Sequence, residues 1–195
     1  MHTIEPFYNW RDRYIAAQDE RSPFYGRVNS EFEFTHKIYN YLIHPQWDAF
    51  GSPTLYMKVI YADYDMSFAI IELLGEWNDC IQNDVMFLKR DIVDLMTEEG
   101  IYKYIFVGEN LLNFHGGDDD YYQEWSEEIR EKGGWICFLN LREHVIEEMA
   151  AARLQFYINF DAPFNQVDWR PYKPQLLYQK IDEYVSHPAR RILPG

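Results

Sequence analysis

The chain has 195 residues, 47% of them hydrophobic, and carries 18 basic against 32 acidic side chains for a net charge of −14. That length suits one generous domain with a core of its own. The charge argues against nucleic acid or an anionic membrane as partner, since both recruit clustered Lys and Arg, and only short basic spots such as Lys89-Arg90 and Arg190-Arg191 occur.

Before residue 53 the chain is aromatic-rich and punctuated by Pro6, Pro23, Gly26, Pro45, Gly51 and Pro53. The pattern predicts a short helix over 8–18 and a strand around 34–43. TLYMKVIYA (54–62) alternates, setting Leu55, Met57, Val59 and Tyr61 on one face of a strand. A polar turn at 63–66 leads into FAIIELL (68–74), a run short enough for a buried strand, and the pair reads as an antiparallel hairpin.

The clearest helix follows, with Asn78 or Asp79 as cap and Ile81, Val85, Leu88, Ile92 and Leu95 as its apolar stripe, ending before Gly100. YKYIFVG (102–108) is a strand. Asp118-Asp119-Asp120 opens a helix carrying Tyr121 or Tyr122, Trp125 and Ile129, closed by Gly133-Gly134. WICFLN (135–140) is a strand, 141–152 a helix with Val145 and Met149 inward, LQFYINF (154–160) a strand, and PQLLYQKIDEYV (174–185) a final helix. Alternation of this kind predicts an α/β fold. A leading antiparallel hairpin is followed by strand-helix units in one mixed sheet, with later strands parallel.

The order of elements over 54–160 resembles the STAS domain of anti-sigma factor antagonists. IIELLGEWND (70–79) is similar to the family's strand before the first helix. YIFVGENLLNFHGGDDDYYQEW (104–125) is similar to the segment carrying its phosphorylation site, and KGGWICFLNLREHVIEEMAAARLQFYIN (132–159) to its closing strand, helix and strand. The family places a Ser or Thr at the start of the second helix; here His115-Gly116-Gly117-Asp118-Asp119-Asp120 stands instead, so the resemblance does not carry a phosphorylation switch across. A flavodoxin-like, doubly wound sheet is the rival arrangement. The chain divides accordingly into an aromatic-rich extension packing on the core (1–53), a STAS-like core (54–160), and a C-terminal helix and tail (161–195).

The most polar, glycine-bearing stretch after a strand is 109–120. Glu109, Asn113, His115, Asp118, Asp119 and Asp120 are the candidate ligand or partner residues, because an imidazole among carboxylates can act as base or metal ligand. Acids in a first helical turn also complement the helix dipole without any ligand. Glu76, Asp79 and Asp84 read as caps and a solvated face, and so do Glu143, His144, Glu147 and Glu148, which lack the HExxH zinc spacing. No catalytic residue, metal site or cofactor is expected. Cys80 and Cys137 show no zinc or CxxC spacing, and the start of the chain has no apolar leader, so the expected place is the cytoplasm. The N-terminal aromatics, interleaved with Arg11, Arg13 and Arg21, either wrap the sheet or dock a partner.

Together these readings predict a non-catalytic regulatory or protein-interaction module with a protein partner, a second copy of the chain among the options. The alternative is a small metal-dependent hydrolase or a small-molecule-binding protein using 109–120. That alternative requires His115 to face a concave pocket with at least two carboxylates beside it.

Overall fold

The computed structural model describes residues 3–187. Arg190-Arg191 and the end of the expected C-terminal tail lie outside the described residues. A four-stranded sheet runs in sequential order through β3 (Leu55–Asp63), β4 (Phe68–Asn78), β5 (Lys103–His115) and β6 (Trp135–Leu139). β3 and β4 form the expected antiparallel hairpin; β4, β5 and β6 are parallel. Asp63 closes the hairpin by accepting the Met66 amide at 3.0 Å. β4 is buried on both faces along nearly its whole length, as a central strand must be.

The helices that follow the parallel strands all pack on one face of the sheet. They are α1 (Asp84–Leu88), continuing through a π-helical turn at Lys89–Val93 into α2 (Asp94–Glu98), then α3 (Asp120–Arg130) and α4 (Glu143–Ala151). Val85, Leu88, Ile92, Met96, Tyr122, Trp125, Ile129, Val145 and Met149 meet the sheet there. With α1 to α4 all on one face and an antiparallel lead, the sheet is not doubly wound. The opposite face is covered differently, by Trp10, by Phe164, Val167 and Trp169, and by α5 (Pro174–Ser186).

Several expected elements take another form. Within 8–18 only Ala16–Gln18 is helical, as a 3-10 turn, because the segment spends its rings on the sheet rather than on a helical stripe: Trp10 meets Trp169 at 5.7 Å. The strand expected at 34–43 shrinks to a two-residue ladder, β1 (Lys37–Ile38) with β2 (Tyr41–Leu42), around Tyr39 at positive φ. Tyr61 does not share a face with Val59, since a register shift between them turns it to the other side of the sheet. Strand β4 runs on to Asn78, so the helix starts only at Asp84 and Ile81 is left 79% exposed.

The π-helical turn adds a residue to the helix. The buried stripe therefore passes through Val93 to Met96, and Leu95 turns outward. LQFYINF is not a strand: Leu154–Phe156 forms a 3-10 turn, and only Asn159 pairs beside Cys137 in an isolated bridge. Gly75 occupies a point in β4 where φ is +120° and an added Cβ would sit 2.0 Å from the Thr54 carbonyl, which only glycine tolerates.

Candidate functional site

Strand β5 outruns its neighbour. It pairs with β6 only from Lys103 to Val107, yet continues beside β4 as far as His115. An unpaired strand edge carries free amides and carbonyls that need partners. Helix α4 supplies two of them with side chains. His144 Nε2 donates to the Leu112 carbonyl at 2.7 Å, and Glu148 Oε2 accepts the Phe114 amide at 3.1 Å. The two residues stand one turn apart on the helix, so they reach alternate backbone groups of the strand. Close approach at the start of this stretch depends on Gly108, where a Cβ would meet Leu141 Cδ2 at 2.3 Å.

The candidate residues of 109–120 are distributed along this strand and the turn after it, and their side chains do not converge. Glu109 is on β5, where it accepts from Arg170 (2.6 and 3.1 Å), Trp169 Nε1 (2.9 Å) and Asn140 Nδ2 (2.9 Å). Burial pushes its carboxyl up, but these donors outweigh that and hold it below its ordinary value. Asn113, also on β5, donates to Glu76 Oε1 at 3.1 Å, and Glu76 Oε2 accepts from Tyr39 Oη at 2.7 Å. His115 ends the strand with an exposed ring, its carbonyl accepting the Asp79 amide at 2.9 Å.

Asp118 is exposed, Asp119 accepts from Tyr157 Oη at 3.0 Å, and Asp120 is the exposed first residue of α3. The concavity beside His115 is shallow and bordered by Cys80, Gly116, Gly117, Glu148 and Ala151. Its single carboxylate, Glu148, is the one already committed to Phe114. Among the described residues no group of three or more His, Cys, Asp and Glu is arranged to hold a metal ion.

Three buried ionisable groups carry more of the electrostatics than the loop does. Asp79 lies beneath Gly117 and accepts from Trp77 Nε1 (2.8 Å), the Val85 amide (2.8 Å) and Tyr122 Oη (2.5 Å). Burial pushes its carboxyl up to about 6 against those hydrogen bonds. It thus serves the first helical turn from beyond the helix, not as the adjacent cap that its position suggests. Glu72 sits in mid-β4 on the face away from α1 to α4; it accepts the Phe7 amide at 2.6 Å, and burial pushes it up to about 7. Lys89, fully buried in the π-helical turn, reaches Asp94 (2.8 Å), Glu128 (2.9 Å) and Glu124 (3.1 Å), tying that helix to α3.

A signal for two of these stands in the sequence. Glu72 is the one acid inside FAIIELL, and Lys89 lies beside Leu88 within an apolar stripe. A charge in an apolar run implies a dedicated partner, since burying it alone is costly.

The fold is STAS-like: an antiparallel hairpin leads a parallel run, with the connecting helices on one face. It departs from the expected order in its last strand, reduced to a bridge. No protein-family model and no curated protein sequence matches the chain. Two solved structures it resembles are a proposed anti-sigma factor antagonist from Thermotoga maritima and the anti-sigma factor antagonist SpoIIAA in its unphosphorylated form. The first is 14% identical with a TM-score of 0.38, over 48% of this chain and 80% of that one. The second is 11% identical with a TM-score of 0.42, over 71% of this chain and 99% of that one. At such identities and scores the likeness assigns no residue a role.

Proposed function

We propose that the chain is a non-catalytic regulatory module that works by binding a protein partner, in the cytoplasm. The observation that carries this reading is a set of exposed apolar side chains on one segment. Val28 is 92% exposed and Phe32 85%, with Tyr25, Tyr39, Tyr41 and Leu42 also largely in solvent. Such residues scattered singly are ordinary, but several within a short segment suit a partner-facing surface. The dispersal of Glu109, Asn113, His115 and the three aspartates weighs against the hydrolase alternative, which needs them within reach of one reacting atom.

Sedimentation velocity and affinity capture test the proposal. The double variant Val28→Asp/Phe32→Asp is expected to lose self-association or the captured partner while keeping the wild-type circular dichroism spectrum. Unchanged capture and sedimentation would remove this surface from consideration. Charge reversal at Asp118 and Asp120 asks the same of the exposed start of α3: an identical captured set would mean that the turn is not a contact.

A further inference from the structure

The N-terminal segment and the outer edge of β3 enclose a cavity of about 160 Å³. A cavity of roughly 150 Å³ holds one benzene-sized group, so this one suits a single apolar side chain. Tyr14 and Ala17 provide apolar wall, while Arg11, Arg27 and Lys58 border it, and no Asp or Glu does. In a chain of net charge −14 that is an unusual concentration of positive charge.

Lys58 is matched by the buried Asp48, whose Oδ2 lies 2.9 Å from Nζ as a charge contact, not an aligned hydrogen bond. The two arginines have no such match among the described residues: Arg11 reaches only Gln46 Oε1, at 3.3 Å, and Arg27 donates to the Ala49 carbonyl at 2.5 Å.

The wall on the β3 side is the outer edge of the sheet. Both the amide and the carbonyl of Met57 bond the backbone of Asp48, at 3.0 and 2.8 Å. Alternation in an antiparallel strand turns the same two groups of Val59 to that side. The Asp48–Met57 bridge is isolated, and no described strand continues it beside Val59, which lines the cavity. Cationic groups, a small apolar hollow and a strand edge that no described strand pairs beside Val59 therefore meet in one place.

We propose that this cavity binds a carboxylate bearing one apolar side chain and a neighbouring amide. The side chain enters the hollow, the carboxylate meets Arg11 and Arg27, and the amide pairs with Val59 as an added strand residue would. Two sources share that chemistry: a free N-acylated amino acid, and the carboxyl-terminal residue of a peptide. The inference goes beyond the partner reading above and does not rest on it.

Titration calorimetry on the full chain tests it with N-acetyl-leucine, N-acetyl-leucinamide, 4-methylpentanoate and a hexapeptide ending in leucine with a free carboxyl group. N-acetyl-leucine is expected to bind, with the uncharged amide and the amide-free acid each about tenfold weaker or more. Arg11→Gln and Arg27→Gln, both at exposed positions, are expected to lower affinity about tenfold each, and Ala17→Leu to abolish binding by filling the hollow. A hexapeptide at least about tenfold tighter than N-acetyl-leucine assigns the site to chain termini; equal affinity assigns it to free acids. No heat from any of the four up to about 10 mM, or binding indifferent to all three substitutions, overturns the proposal.

Discussion

The two faces of the sheet solve one problem in different ways. On the helix face, α1 to α4 satisfy most of their own backbone, so the contact with the sheet is chiefly apolar, centred on Phe106, Phe138, Trp77 and Trp125, with directed bonds added at Asp79 and at His144 and Glu148 of α4. On the other face much of the cover is irregular chain, Phe7, Trp10 and the stretch around Trp169, with few backbone bonds of its own. That irregular cover is pinned by polar contacts: Glu72 to the Phe7 amide, and Glu109 to Arg170 and Trp169, with Asn140 beside them. The comparison teaches that regular cover is held mainly by area, whereas irregular cover depends more on directed bonds to set its path. It also places the proposed partner surface and the cavity in the irregular part of the chain, where packing constrains sequence least.

The contrast can be broken most strongly by truncating a ring on each face. Phe138→Ala and Trp169→Ala are each expected to cost about 3–5 kcal/mol in denaturant titration. Hydrogen exchange should separate them: Phe138→Ala lowers protection throughout β4, β5 and β6, whereas Trp169→Ala lowers it first around residues 3–14 and 161–173. Equal loss everywhere in both variants would mean that the two covers are one cooperative unit.

A smaller effect is expected at the pin itself. Glu109→Ala leaves Arg170, Trp169 Nε1 and one Asn140 donor without their acceptor, and a loss of about 2–4 kcal/mol should follow. A loss below about 0.5 kcal/mol would show that apolar area alone holds this face.

The smallest change has the opposite sign. Because burial raises the Glu72 carboxyl to about 7, the folded state favours its protonated form, and wild-type stability falls as pH rises from about 4.5 to about 7. Glu72→Gln removes that slope. The variant should match the wild type below pH 4.5 and exceed it by roughly 1–3 kcal/mol above pH 7, as chemical denaturation at several pH values would register. A variant less stable at pH 8 would mean that the ionised hydrogen bond to Phe7 outweighs the cost of burying the charge.

How much of this was legible in the sequence differs between the same two regions. The hairpin, the buried run of β4, the inward Trp125 and Ile129 of α3, Val145 and Met149 of α4, and the final helix follow from periodicity, because each element buries one stripe against one surface. Periodicity could not foresee the register shift before Tyr61, the π-helical turn around Lys89, or the loss of a strand at LQFYINF. In the last two a distant group decides: Lys89 is drawn inward toward Glu124 and Glu128 of α3, and Asn159 alone finds a place beside β6.

The residues of 109–120 were recognisable as a polar stretch, but not that β5 would run on to His115 and spread them along a strand. Local spacing thus determined which segments form sheet and helix, and in what order they stack. Only the tertiary structure decided which charges are buried, which strand edges stay open and which rings face solvent. Those outcomes depend on groups far apart in the chain, and no local window contains both partners.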